Sequence, residues 1–502
     1  MLTRSAARAK QFVIFFLLCS EDAQRWVFTR TAIHNKLPED VLLEIFNAYR
    51  HDMELQPRYE NTWNRKYGWF KLAQVCLRWR RVVISSPSRL DMHLLVTPRQ
   101  SSMDLESMMR CFPRLPILLD YGAVCQPLTT KENNLALVAL EDRGRVRGIA
   151  LRTSNFGLLS QPFPELKSLE ICHDSNFDFF LISHANVFST LAPSLRRLTF
   201  QGVTLGPLPQ LLSSATGLVE LALTSKVGPW SFNFNLTNSE DLLLGNLKRM
   251  SCLRCLKLKL LSHDTSDTSP PLLASALAGD IIPLLKLTDF VFRGPCSFFH
   301  ILIVRLAAPS LQHLDAEICG ESPRHSSTPP LIPPLCKFIC DTKTQFITVR
   351  LGLSQQNLEF SAETIPKSDH APSRPFRIFF PKPVAPLKQL GDKLSGPLST
   401  VEEVVVVWGA DRSTTEHSIQ WRAFFRHLRR VKMVQLPSEE ALNVAASFQK
   451  RGLLDLLPAL GHIKVHSTGY HRNDKYKCIR NAFKPLIAAR QQVGRPMKLS
   501  RV

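Results

Sequence analysis

A six-residue pattern recurs along this chain: an apolar residue, two polar ones, an apolar residue, any residue, and a last apolar one. It reads LKSLEI at 166–171, LRRLTF at 195–200, LVELAL at 218–223, LRCLKL at 253–258, LTDFVF at 287–292 and LQHLDA at 311–316. VRGIAL (146–151) precedes the set and LCKFIC (335–340) follows it, with VEEVVV (401–406), LRRVKM (428–433) and LGHIKV (460–465) further on. The second half of each alternates apolar and polar residues, which predicts a strand with one buried face. Lead-ins such as FPELKSL, APSLRRL and APSLQHL repeat as well. Helix-like runs lie between the strands. Ser239-Glu240-Asp241 opens one and Ser438-Glu439-Glu440 another, each offering an N-cap hydroxyl and first-turn carboxylates. Strand and helix alternating at intervals of roughly 20–35 residues predict a stacked architecture in which each repeat buries its face only against the next.

Ahead of the repeats, LPEDVLLEIFNAY begins at Leu37. Pro38 suits the first helical position, where its missing N–H has no intrahelical partner to lose. Glu39 and Asp40 then meet the positive end of the helix dipole. Val41, Leu42, Ile45, Phe46 and Tyr49 follow at helical spacing and predict one wide apolar face. Residues 50–68 are polar without a period and read as a loop. WFKLAQVCLRWRRVVISSP predicts a second helix, with Leu72, Val75, Cys76, Trp79, Val82 and Val83 on one side and Lys71, Gln74, Arg78 and Arg81 on the other. Pro87 ends it. Two helices this short cannot bury their faces alone in water, so they need each other and a partner surface.

The pair LPEDVLLEIF and LAQVCLRWRRVV resembles the F-box: Leu-Pro with acidic residues, an apolar helix, then Leu-Ala-x-Val-Cys-x-x-Trp. The continuation SSPSRLDMHLL is similar to the stretch after the F-box in many fungal members. One departure is a longer segment between the helices, which leaves the family's middle helix unplaced. The resemblance implies that Leu37, Pro38, Val41, Leu42, Ile45 and Phe46 face a Skp-type adaptor or the module's own small core. It implies the same of Leu72, Val75, Cys76 and Trp79, and a cullin reached through the adaptor. The later repeats resemble leucine-rich repeats more loosely. That family places Asn or Cys three positions beyond the last strand leucine, to satisfy backbone groups at the bend. Here those positions hold Asp174, Val203, Lys226, Leu261, Pro295 and Cys319, and only the last conforms. An irregular solenoid with a parallel concave sheet is what the resemblance implies.

Composition narrows the partners. The chain has 502 residues and a formal charge of +21, from 63 basic and 42 acidic residues. That excess favours acidic or phosphorylated targets, nucleic acid or anionic surfaces without choosing among them. Basic residues thicken toward the end, among them Lys464, Arg472, Lys475, Lys477, Arg480, Lys484, Arg490, Arg495, Lys498 and Arg501. Twelve scattered cysteines, most of them in apolar runs (Cys76, Cys172, Cys319, Cys478), read as small buried hydrophobes in a reducing compartment. The apolar run FVIFFLLC (12–19), preceded by Arg4, Arg8 and Lys10, has the outline of a secretory leader, yet is too short to span a bilayer.

No P-loop, dinucleotide fingerprint, nucleophile elbow or HExxH helix is present, so no catalytic residue, cofactor or metal is assigned. Cys252 and Cys255 form a CxxC with no second pair at zinc spacing. Glu402 and Glu403 alternate across a strand and cannot converge on one site. The fold expected is α+β: a leader (1–33), a small all-α F-box module (34–95) and a connecting segment (96–145). An irregular α/β leucine-rich solenoid (146–345), an irregular Pro-rich insertion (346–400), and further repeats with a basic tail (401–502) follow. The Ser/Thr/Pro-rich stretches 262–273, 321–334 and 366–397 are expected as loops. The function expected is target recognition in a Skp–cullin–F-box ubiquitin ligase, intracellular and without chemistry of its own. A basic scaffold binding protein or nucleic acid without ubiquitin chemistry stands as the alternative, and a secreted repeat protein as a third.

Overall fold

A computed structural model describes residues 37–55, 72–73, 75–86, 90, 93–98, 102–122, 129–152, 162–172, 193–202, 212–225, 243–260, 279–319, 331–342, 345–353, 357–364, 376–381, 387–408, 421–448, 456–466 and 472–501. The leader, Ser239-Glu240-Asp241, the stretch 262–273 and most of 321–334 and 366–386 lie outside these residues. The chain divides into two compact units, residues 1–120 with 130–147, and residues 121–129 with 148–502.

In the first unit, helices α1 (Glu39–Leu55) and α2 (Leu77–Ser85) precede β1 (Leu94–Val96), α3 (Ser102–Cys111), β2 (Ile117–Tyr121) and α4 (Thr130–Glu141). α1 continues through Arg50, where a loop is expected; the first breaker it meets is Pro57, which disfavours helix at the residue before it. Residues 96–145, expected as a connecting segment, hold α3, β2 and α4. β1 is too short to show a period, and β2 (ILLDY) alternates only in its burial. β1 and β2 pair in parallel, Leu94 opposite Ile117. Arg145 ties the turns together, donating to Leu115 O (2.9 Å), Phe112 O (2.7 Å) and the Asp142 carboxylate (3.0 Å).

The second unit runs β3 (Val146–Arg152), β4 (Ser168–Cys172), β5 (Arg197–Gln201), β6 (Glu220–Ser225), β7 (Cys255–Leu260), β8 (Ile282–Pro283), β9 (Asp289–Pro295), α5 (Cys296–Arg305), β10 (Leu306–Ala307), β11 (His313–Cys319) and α6 (Ile332–Asp341). It continues with β12 (Phe346–Leu353), β13 (Asn357–Thr364), β14 (Phe376–Pro381), α7 (Leu387–Lys393), α8 (Ser395–Leu398), β15 (Glu403–Trp408), α9 (Trp421–Phe425), β16 (Met433–Pro437), α10 (Ser438–Phe448), β17 (His462–His466), α11 (Arg472–Gln492) and β18 (Lys498–Arg501). Apart from β8 and β10, which pair with each other, its strands form one large, mostly parallel sheet in the order β3-β4-β5-β6-β7-β9-β11-β14-β13-β12-β15-β16-β17-β18. The fold is mixed α/β.

The recurring hexads explain the stacking. Their fourth residues, Ile149, Leu169, Leu198, Leu221, Leu256, Phe290 and Leu314, lie opposite one another in a single buried row. Each repeat also docks on the one before by the same two backbone bonds. Arg196 and Arg197 donate to Lys167 O (2.8 and 2.9 Å), Val219 and Glu220 to Arg196 O (2.7 and 2.9 Å), and Arg254 and Cys255 to Val219 O (2.8 and 3.0 Å). On the buried side α5 packs its rings onto β9, Phe299 lying 4.9 Å from Phe292. Further along, Trp421, Phe425, Phe448 and Phe483 form a chain of ring contacts at 5.3–6.5 Å that joins α9, α10 and α11.

Three expectations are corrected. LCKFIC is not a strand but part of α6: Pro333 and Pro334 occupy its first turn, and Leu335, Cys336, Phe338 and Ile339 are buried at helical spacing. LRRVKM is out of register by three residues, because Arg429 and Arg430 lie in a turn and the strand begins at Met433. Residues 346–400 are not an irregular insertion, since β12, β13 and β14 join the sheet there. β13 runs antiparallel to both neighbours, and Val349, Ala362 and Phe376 continue the buried row. A register shift between Phe346 and Thr348 disturbs the alternation that would otherwise have marked β12.

His300, on α5, is buried, its Nδ1 has no hydrogen-bond partner among the described residues, and burial pushes its pKa below the ordinary 6.5. A depressed folded pKa means stability is complete above about pH 6.5 and is lost as pH falls below it, because only the unfolded chain protonates freely. His300→Leu is expected to flatten that acid limb in thermal unfolding followed from pH 7.5 to 5.0. An unchanged limb would assign it to other groups.

Candidate functional site

The helix pair of the first unit is built around Phe46 and Trp79, whose rings meet edge to face at 4.8 Å. Leu42, Leu43, Phe46, Leu72, Ala73, Val82 and Val83 are buried with them. Arg78 donates to Leu37 O and joins the start of α1 to α2, while Arg80 Nε donates to Ala73 O (3.0 Å). Burying each large aliphatic side chain here contributes roughly 1.5–3 kcal/mol.

This geometry divides the residues expected to bind an adaptor. Leu42, Phe46 and Leu72 are interior, and Leu37, Cys76 and Trp79 are half-buried. Pro38, Val41, Ile45 and Val75 face solvent, with Val41 at 39%, Ile45 at 42% and Val75 at 50% exposure. The wide apolar face predicted on α1 is therefore two stripes. Val41 and Ile45 sit about 100° around the helix from Leu42 and Phe46, and only the second pair points inward. Two residues were missed: Leu43 is buried, and Ile84 on α2 is 43% exposed.

Cys76 also departs from expectation, since it does not lie on the apolar face of a continuous helix. It is extended (φ −160°, ψ 169°) and caps α2, its Sγ accepting from Trp79 N at 3.4 Å. This satisfies a first-turn donor that Val75 or Leu77 could not. The expectation that cysteines are buried fails for others as well: Cys172, Cys252 and Cys255 are half-buried and Cys340 and Cys478 are exposed, while Cys296 and Cys336 are buried. Burial, with the neighbouring Cys340, pushes the Cys336 thiol up to about 12, so it stays protonated and inert.

A second surface is the outward side of the sheet in the second unit. Its charged residues pair across strands: Arg197 with Glu220 (3.5 Å), Arg293 with Glu317 (3.3 Å) and Arg377 with Glu359 (2.7 Å). Toward its C-terminal edge His466 bonds Gln435 (2.9 Å), which donates to Glu403 (2.5 Å), and His462 bonds Ser500 (2.7 Å). Burial and then the charges of Lys464 and Lys498 push the His462 pKa down. Among the described residues no group of His, Cys, Asp or Glu could hold a metal ion. No helix among them is long and apolar enough to cross a membrane.

No described protein family and no curated protein matches the chain. Among solved structures it is similar to the leucine-rich repeat-containing protein LegL7 from Legionella pneumophila, at 11% identity and a TM-score of 0.26. That likeness covers 66% of this chain and 95% of the other, and a score so low lends it no weight.

Proposed function

We propose that the chain is the target receptor of a Skp–cullin–F-box ubiquitin ligase. In this reading it binds the adaptor through α1 and α2, and a protein target through leucine-rich repeats in the second unit. The observation that carries it is the exposed apolar set Val41, Ile45, Val75 and Ile84. Val41 and Ile45 stand on α1, Ile84 on α2 and Val75 just ahead of its Cys76 cap, in sequence that resembles the F-box and around a core already filled by Leu42, Phe46 and Val83. Apolar side chains left outside a packed core mark a docking surface. The receptor performs no chemistry in this account, and raises the concentration of a bound target near the ubiquitin-loaded subunit.

The test is binding of the full chain to a purified Skp-type adaptor by calorimetry, with a variant carrying Val41→Asp, Ile45→Asp and Val75→Asp. These positions are outside the core, so the variant is expected to stay folded and to bind at least about 100-fold more weakly, or about 2.7 kcal/mol. A folded wild-type chain that does not bind the adaptor would sink the reading and leave a scaffold without ubiquitin chemistry.

A further inference from the structure

The outward side of the second unit's sheet is charged against the trend of the whole chain. From β9 to β15 it presents six carboxylates, Asp289, Asp315, Glu317, Glu359, Glu363 and Glu403, and three arginines, Arg293, Arg350 and Arg377. The local balance is three negative charges, in a chain of net +21.

Two of the arginines are already committed. Arg293 pairs with Glu317, and Arg377 is held by Glu359 while its guanidinium lies 4.5 Å from the centre of the Phe379 ring. Gly352 makes the Glu359 reach possible, since a Cβ there would stand 2.9 Å from the glutamate side chain. Asp315 and Glu363 have no ion pair with another described residue. A hollow of about 250 Å³ opens between Glu363 and the Arg377–Glu359 pair, lined also by Thr348, Arg350 and Ser361. Val291 and Val405, half-buried on the same side, offer apolar surface to the aliphatic stem of a long side chain.

We infer that this face holds a Lys- or Arg-bearing segment of a protein target, with one cation at Asp315 and another in the hollow beside Glu363. Two carboxylates with no ion pair among the described residues, half-buried valines and a polar hollow suit a cation on an aliphatic stem. The net negative balance of the face opposes the acidic or phosphorylated segment that the overall charge suggests. The inference rests on the receptor reading for its need of a target site, and the experiment separates the two.

The test is fluorescence anisotropy of the full chain with a labelled twelve-residue Arg-Ser repeat peptide, and with a Glu-Ser repeat of the same length. The field of the whole chain draws the acidic peptide, so a preference for the basic one reports this face alone. Tighter binding of the basic peptide is expected, weakened about tenfold by Asp315→Asn with Glu363→Gln and unaffected by Lys464→Gln. Added salt should weaken it too. Equal or tighter binding of the acidic peptide, or no change in the double variant, overturns the inference. Adaptor binding is measured on the same samples. Its loss with peptide binding intact counts against the receptor reading only, and the converse counts against this site only.

Discussion

Arg490→Met is expected to lower the unfolding free energy by about 3–5 kcal/mol, although the residue is buried and belongs to neither candidate surface. Arg490 is 1% exposed on α11. Its Nη1 donates to Leu460 O (2.7 Å), and its Nη2 donates to Leu456 O (3.2 Å) and to Leu457 O. These three carbonyls belong to the turn that delivers the chain into β17, and Leu457 holds a positive φ of 54° there. A non-glycine residue in that region is strained and persists only when its surroundings hold it. Methionine would fill the space and leave all three acceptors dry, each at a cost of roughly 1–3 kcal/mol less whatever water recovers. Urea unfolding measures the loss, and amide exchange in β17 should quicken with it. A change below about 1 kcal/mol would show that the carbonyls find other partners and that Arg490 is not what shapes the turn.

Phe292→Ala is the second large effect expected, at about 3–5 kcal/mol. Its ring is fully buried, 4.9 Å from Phe299, 6.2 Å from Phe298 and 6.5 Å from Phe290. Gly294 keeps room for it: a Cβ at that glycine would meet Phe292 Cζ at 3.1 Å and Leu260 O at 3.0 Å. Removing the ring leaves a cavity between β9 and α5 that two packed elements cannot close. Phe292→Leu, which retains most of the volume, should cost less than about 1.5 kcal/mol. Similar midpoints for the two variants in denaturant unfolding would rule out the cavity as the cause.

The helix-pair surface was half legible. Spacing alone shows that Leu42, Phe46, Val41 and Ile45 are apolar and near one another, but a helix repeats every 3.6 residues and both stripes fit its period. Which one turns inward depends on where Trp79 and Val83 pack, and those lie more than thirty residues away. Cys76 was misread for a related reason. Its neighbours are apolar at helical spacing, and nothing local announces that the backbone becomes extended there to start a new helix. The acidic stretch on the sheet was invisible because its six carboxylates are contributed by four strands, each unremarkable in charge by itself.

What the sequence determined by itself is local and periodic: strands β3 to β7, β9 and β11, their buried row, and the start of α1. A period of two read over six residues specifies which face is buried wherever the strand is paired, and the recurring leucines made that pairing repeat. What only the tertiary structure decided is everything resting on a partner distant in the chain. LCKFIC is held as a helix by packing against α5 and α7, and β13 runs antiparallel because β12 and β14 are there to flank it. The net negative charge of a sheet face in a basic protein belongs to the same class. Charge is a sum over neighbours, and the register that chooses those neighbours is fixed by burial on the opposite side of the sheet.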